Sequence, residues 1–317
     1  MPEIDMVRHS LQIDPQLTIW GWEIPLYLFL GGLTAGLMIL GAALRLRTAD
    51  DAAPRWERWL PFAAPVLISL GMLALFLDLA HREHVWRFYM AFRPTSPMSW
   101  GAWILIAIYP ATLLLGLQGL QDSEVSWLRA LAPVRALKLD GVITWARELA
   151  TRQARMLWWS NIVLGVALGA YTGLLLGTLA ARPAWNSVVL GPLFLVSGLS
   201  TGAALMMLFP LGERSHHLLR RWDVLAIVVE VLLLGLFFLG LSASAGPAGD
   251  GAVAMFFGGR FTAAFWSLVV AAGLIVPLAL ELIEARRGLR PTLVAPALIL
   301  VGGLSLRWIL VAAGQVS

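Results

Sequence analysis

Eight apolar runs constrain this chain more than any other feature. Each is about 20 residues long, enough to cross roughly 30 Å of hydrocarbon as a helix. They fall at about 24–45, 60–80, 99–119, 157–180, 188–210, 222–242, 262–284 and 292–313. Strands would cross in about ten residues and alternate strictly, so only helices use such lengths. Of the 317 residues, 59% are hydrophobic and 13% charged, against about a quarter charged in soluble domains. The pattern predicts an all-α integral membrane protein with eight transmembrane helices and both termini on one side.

Loop charge sets the orientation. The connectors after spans 1, 3, 5 and 7 hold 16 of the 23 Lys and Arg residues. The positive-inside rule places those connectors inside and both termini outside. The longest connector, about 120–156, spaces Trp145, Leu149 and Met156 helically among Arg147, Arg152 and Arg155. It reads as a basic amphipathic helix on the inner membrane surface, where an ordinary surface helix fits as well.

Spans 1 and 5 echo each other. Pro25-Leu26-Tyr27-Leu28 with Gly32 to Gly36 is matched by Pro192-Leu193-Phe194-Leu195 with Gly198 to Gly202. Four helices separate the echoes, which fits a parallel internal repeat of a four-helix unit. Chance likeness between two small-residue helices is the competing reading. The resulting division is an outer N-terminal segment at 1–23, a first four-helix bundle at 24–180 and a second at 181–317. Gly165, Gly169, Gly173 and Gly177 form one face of span 4, as expected of close helix packing in lipid.

Polar groups inside spans are costly and need a reason. Asp78 and His81 sit three residues apart at the outer end of span 2, a spacing that would place them on one helical face. Trp22, Glu23 and Pro25 open span 1 at that level; Ser99, Trp100 and Gly101 open span 3, and Tyr171 and Thr172 lie in the outer half of span 4. A quinone head group needs such a place, with hydrogen-bond donors, a proton acceptor and flat apolar walls. His81 or Asp78 would take protons and Tyr171 would hydrogen-bond a carbonyl. A capped helix end wetted by interfacial water explains Asp78 and His81 equally well. Glu230, Glu281 and Asp223 fall in the inner half of the second unit, as a proton path or as partners of inner arginines; Arg307 lies in the outer half of span 8.

Other chemistries are excluded. The chain has no cysteine, hence no iron–sulfur cluster, thiolate metal site or disulfide of its own. Its five histidines are not placed to face one another across a bilayer, so a bis-histidine haem is not expected. The basic residues fall in short connectors, which argues against nucleic acid as a partner. No cleavable signal peptide is expected, because the first 20 or so residues are mixed and polar.

These residues resemble the NrfD/PsrC-type membrane subunits of polysulfide reductase-like complexes. The likeness rests on Trp22-x-x-Pro25 through Gly32, Asp78-Leu79 with Arg82, Ser96-Pro-Met-Ser-Trp-Gly101, Tyr171-Thr172-Gly173 and Pro192 through Gly202. The resemblance implies a haem-free subunit of the cytoplasmic membrane that reacts with menaquinone or ubiquinone near the outer face. It implies a ferredoxin-like iron–sulfur partner, connected to a molybdopterin or multihaem catalytic subunit. Carried over, Tyr171 matches the quinone-contacting tyrosine of span 4 and Asp78 the acidic position of span 2. Where some members have a histidine and an asparagine in span 1, this chain has Leu30, Gly31 and Gly32, and His81 would substitute. Pro25, Gly32, Trp22, Ser99, Trp100 and Thr172 are expected around the ligand, and Arg82, Arg87 and Arg93 at the docking edge. A secondary transporter, a proton-translocating protein and a passive anchor of a redox complex are the competing functions.

Overall fold

The computed structural model describes residues 20–47, 53–90, 92–179, 182–243, 247–288 and 291–316. Most of the expected 1–23 segment, with Arg8 and Arg290, lies outside them. Among the described residues, eight helices are long and apolar enough to cross a membrane: span 1, Glu23–Arg47; span 2, Arg55–Asp78; span 3, Pro97–Gly119; span 4, Ala154–Gly177; span 5, Leu190–Met207; span 6, Glu213–Ala243; span 7, Thr262–Arg287; span 8, Val294–Val316. No strand forms among the described residues. The chain is a multi-pass membrane protein. We call the side carrying the connectors after spans 1, 3, 5 and 7 the basic face.

Span 1 is the central post. It packs mainly against spans 2, 4, 5 and 8, and meets span 3 near the basic face, where Gly119 lies against the Arg45 guanidinium. The halves are packed alike: span 1 lies on 2 and 4 with 3 on 4, and span 5 lies on 6 and 8 with 7 on 8. Spans 1 and 5 meet through glycine. A Cβ at Gly198 would stand 2.7 Å from the Gly32 carbonyl oxygen, and one at Gly202 would stand 2.6 Å from Gly36 Cα. Only bare backbone fits there. Lipid tails are as apolar as leucine, so helices in a membrane gain from close contact rather than from leaving water. Span 4 joins the same seam: Gly165 and Gly169 face Ala35, and Gly173 faces the backbone of Leu190 and Gly191.

The basic face is pinned by polar contacts. Arg58 donates from Nε and Nη2 to the Glu124 carboxylate at 2.9 Å each, and Trp59 Nε1 adds a third bond at 3.0 Å. The Arg58 hydrogen bonds hold the Glu124 carboxyl down at about 2, against an ordinary 4.5. Glu57 accepts from Ser215 Oγ at 2.9 Å, tying span 2 to span 6. The long connector forms helices Asp122–Ala130, Ala132–Ala136 and Asp140–Arg152. The last of these buries Ala146 and Ala150 on the side of span 3 and leaves Trp145 exposed, the form expected of an interfacial amphipathic helix. On the opposite face, Trp20 N donates to Gln315 Oε1 at 2.9 Å and Gln315 Nε2 returns a bond to Trp20 O at 3.0 Å.

Several span boundaries differ from those expected, and spans 2 and 6 change most, with span 2 beginning at Arg55 rather than near 60. Span 6 begins at Glu213 rather than near 222. At 31 residues it is longer than hydrocarbon requires, and its polar first turns continue the helix beyond the apolar run. Span 2 stops at Asp78, because Leu79 turns to extended backbone at φ −68° and ψ 128°.

Candidate functional site

The stop at Asp78 decides the geometry of the site. A helix continuing to residue 80 would put Asp78 and His81 on one face; the extended Leu79 sends His81 out into the connector instead. The shared-face expectation is therefore corrected. Arg82 folds back under the break, donating from Nη2 to the Leu77 carbonyl at 2.6 Å. That bond satisfies an orphan carbonyl and sets a cation at the negative end of the helix. Of the three connector arginines, it is the one turned back onto its own helix.

Above the break lie two adjoining hollows. The inner one, about 530 Å³, sits between spans 1, 2, 3 and 4 at the end opposite the basic face. Its walls are apolar, from Leu28, Met72, Phe76 and Leu105 among others, with Asp78 at its rim. Its polar groups are mostly phenols. The chain has four tyrosines; Tyr27, Tyr89 and Tyr171 line this cavity. The fourth, Tyr109, shares a 2.9 Å hydrogen bond with Ser69, itself a wall residue. A chain this poor in tyrosine has concentrated it at one place. Burial and the neighbouring Tyr109 raise the Tyr89 phenol above its ordinary range, so its proton is held for donation.

Gly101 seats Tyr171. A Cβ on Gly101 would overlap the Tyr171 Cζ and hydroxyl and stand 2.6 Å from Cε1. The ring therefore lies directly on the span 3 backbone, with its depth in the cavity fixed by the absence of a side chain.

The outer hollow, about 540 Å³, is bordered by His81, His84, Arg87, Arg93, Ser96 and Ser99. Leu79 and Met98 belong to both hollows and form the partition between them. Glu83 lies between the two imidazoles, its Oε1 3.5 Å from His81 Nδ1 and 3.2 Å from His84 Nδ1. His81 is solvent-exposed at this mouth. Ser99 Oγ accepts from the Arg93 backbone N–H at 2.9 Å and so shapes the wall.

The expected site residues thus separate. Asp78 and Tyr171 meet in the inner cavity, while His81, Ser99, Arg87 and Arg93 border the outer one. Five expected contacts are in neither. Trp22 and Trp100 lie on the exposed rim, and Pro25 is buried in the first turn of span 1. Thr172 turns its hydroxyl to the Gly169 carbonyl at 2.9 Å. Gly32 sits at the crossing with span 5, against the Arg307 guanidinium. Shared depth predicts Trp22, Pro25, Trp100 and Thr172 near the site and the family resemblance predicts Gly32, but helix rotation points them elsewhere. Tyr27, Tyr89 and His84 escaped the sequence reading; the scarcity of tyrosine was the signal available for the first two.

In the second unit Asp223, Glu230 and Glu281 are all buried, as is Arg307. Ser200 Oγ donates to Asp223 Oδ1 at 2.6 Å. Arg307 donates to Ser197 Oγ at 2.8 Å and to the Gly303 and Phe194 carbonyls at 2.9 and 3.2 Å. Among the described residues, no group of three or more His, Cys, Asp or Glu side chains is arranged to hold a metal ion.

The fold defines a multi-pass helical membrane protein with a tyrosine-lined cavity enclosed by its first four spans. More narrowly, the chain belongs to the polysulphide reductase, NrfD family, whose pattern matches residues 11–317. It is 33% identical to protein NrfD of Escherichia coli (strain K12) over 309 residues, 94% of this chain and 96% of that one. It is 29% identical to a polysulfide reductase chain of Wolinella succinogenes over 314 residues, 94% of each. A shorter match, 26% over 202 residues, joins it to a selenate reductase subunit of Mesobacillus selenatarsenatis, covering 59% of this chain and 47% of the relative.

Proposed function

We propose that this chain is the quinone-reactive membrane subunit of a respiratory oxidoreductase complex. It would pass electrons between membrane menaquinone or ubiquinone and a docked ferredoxin-like iron–sulfur subunit, which serves a molybdopterin or multihaem catalytic subunit. Terminal-substrate chemistry belongs to those partners. The observation that carries the reading is the tyrosine-lined inner cavity with Asp78 at its rim. Relatives named as parts of polysulfide and selenate reductases support it. Loop charge supports an orientation with both termini and the cavity at the outer, periplasmic face of the cytoplasmic membrane. The like packing of the two halves supports a duplicated four-helix unit.

The cavity fits a quinone on its own chemistry. Its volume is within the range of small-molecule sites, its walls are apolar and its few polar groups are neutral donors with one carboxylate. When bound, a quinone supplies a lipid-soluble carrier of two electrons and two protons. Tyr171, fixed in depth by Gly101, donates to one ring oxygen. Tyr27 and Tyr89 offer donors from other walls. Asp78 accepts a proton at the rim, and His81, Glu83 and His84 provide the next stations toward water. Arg87 and Arg93 present positive charge where an acidic partner surface would dock.

Tyr171→Phe and Asp78→Asn test the assignment. Each should leave the complex assembled while cutting quinol-linked turnover, by about 10²-fold for the proton acceptor. Wild-type turnover in both assembled variants would remove the site from this cavity. A quinone-site inhibitor that fails to bind the purified chain would favour a passive anchor.

A further inference from the structure

The long connector on the basic face holds six cations: Arg129, Arg135, Lys138, Arg147, Arg152 and Arg155. Two of them hold the fold. Arg129 donates to Thr144 Oγ1 at 2.8 Å, and Arg147 donates to Asp122 Oδ1 and the Leu120 carbonyl at 2.6 and 2.8 Å. The other four are exposed, and no salt bridge reaches them among the described residues. Of the connector's acids, Glu124 is taken by Arg58 and Asp122 by Arg147, which leaves Asp140 and Glu148 exposed. The uncommitted charge of this segment is therefore positive.

Lys138 is unusual in two ways. It is the only lysine among the chain's 23 Lys and Arg residues. Its backbone also lies in the left-handed region at φ 52°, alone among the described non-glycine residues. The turn there ends the helix Ala132–Ala136 with both bonds of a Schellman cap: Lys138 N–H donates to the Arg135 carbonyl at 3.2 Å, and Leu139 N–H to the Val134 carbonyl at 3.1 Å. Glycine is the usual residue at that position, because a Cβ in the left-handed conformation crowds the backbone. A lysine in a glycine's place is strained, and such strain collects where a side chain has a task. The task open to an exposed, unpaired ammonium is to hold an anion.

The surroundings say which anion. Leu137, beside Lys138, is 68% exposed, and Val142 and Trp145 on the following helix Asp140–Arg152 are exposed as well. That helix buries Ala146 and Ala150 on the side of span 3, so it lies along the flank of a membrane span. Cations interleaved with exposed apolar side chains at the end of a span fit the border between lipid phosphates and acyl chains. An acidic soluble partner would leave the apolar side chains without a role. We propose that this connector binds anionic phospholipid of the leaflet on the basic face, with Arg135, Lys138 and Arg152 on head-group phosphates and Leu137, Val142 and Trp145 among the acyl chains. The site is independent of the quinone reading.

Because the chain has no cysteine, one introduced thiol gives a single reporter. The full chain carrying Val142→Cys is labelled with bimane and placed in phosphatidylcholine vesicles, and brominated phosphatidylglycerol or brominated phosphatidylcholine is added as quencher. Half-quenching should come at a mole fraction at least about tenfold lower for the anionic lipid, since each cation near an anionic surface contributes about fivefold. The same label at Val188→Cys, exposed on the opposite face, should show no preference. Lys138→Gly gives the turn its usual residue while removing the charge. It should cut the preference by about fivefold and leave the melting temperature in neutral detergent equal or higher, and Lys138→Arg should keep the preference. Equal midpoints for the two lipids at position 142 overturn the proposal, as does an undiminished preference in Lys138→Gly. A melting temperature that falls together with the preference makes Lys138 a structural residue and overturns its role as a ligand. Loss of preference on adding inorganic phosphate, beyond that caused by sodium chloride at equal ionic strength, overturns the lipid in favour of a free anion.

Discussion

Gly101→Ala offers a test that depends on geometry rather than on removing chemistry. The added methyl would overlap the Tyr171 ring at Cζ and the hydroxyl and stand 2.6 Å from Cε1. Carbon atoms in ordinary contact are about 3.5–4.0 Å apart, so the ring must retreat by about 1 Å. A phenolic hydrogen bond of about 2.8 Å cannot survive that displacement. A neutral hydrogen bond is worth about 0.5–1.5 kcal/mol net, which converts to roughly 2- to 13-fold in affinity. Titrating a fluorescence-quenching quinone-site inhibitor into the purified chain reads that loss directly. Gly101→Ala and Tyr171→Phe should each weaken binding by about 5-fold, and the double variant should be no weaker than Tyr171→Phe alone. Two substitutions acting through one hydroxyl cannot add. Wild-type affinity in Gly101→Ala, or losses that multiply in the double variant, would refute the idea that Gly101 works by seating Tyr171.

Other expectations concern stability. Gly36→Ala places a methyl on the Gly198 carbonyl and 2.9 Å from Gly202 Cα, where backbone cannot yield, so about 3 kcal/mol or more should be lost, seen as a collapse of the monodisperse peak in gel filtration. Gly41→Ala, with nothing within 4 Å, is the matched control and should be neutral or slightly stabilising. Arg58→Met should cost about 3 kcal/mol, read by thermal unfolding in detergent, because Glu124 is left buried without its cation. The same pair gives a pH dependence of definite sign. Glu124 titrates lower in the folded chain than in the unfolded one, so its stabilisation is complete above about 4.5 and is lost as pH falls toward about 2. Melting temperatures of wild type and Glu124→Gln should therefore converge across that window and differ at neutral pH.

The eight spans could be read directly from the sequence because hydrocarbon thickness fixes their length, and the glycine stripes were legible because lipid leaves backbone proximity as the main packing force. Site rotation was not legible in the same way. A helix stop usually carries a glycine or proline signal, but span 2 ends at Asp78-Leu79-Ala80 with neither. His81 was therefore placed on a helical face that does not exist. Depth along a span follows from counting residues, whereas which residues face inward depends on neighbours the sequence does not order. Tyr171 and Asp78 point into the cavity; Thr172, one residue away, turns from it. Tyr27 was hidden inside an apolar run and Tyr89 inside a charged connector, so only their rarity as a residue type gave them away. The buried acids of the second unit stand out at once as expensive residues, while their mutual arrangement depends on how spans 6 and 7 are placed.

The crossing of Gly32 and Gly36 with Gly198 and Gly202 has a mechanical consequence. Most helix contacts are cushioned, because side chains change rotamer and absorb small shifts before the backbone feels them. Here backbone rests on backbone, with nothing compressible between. A displacement of span 1, which forms one wall of the cavity, must reach span 5 almost undiminished. Span 5 carries Ser197 and Ser200, the hydroxyls that hold Arg307 and Asp223. The two halves are thus geared together like meshed teeth rather than sprung apart, and movement at one end of the gearing has nowhere to dissipate before it arrives at the other.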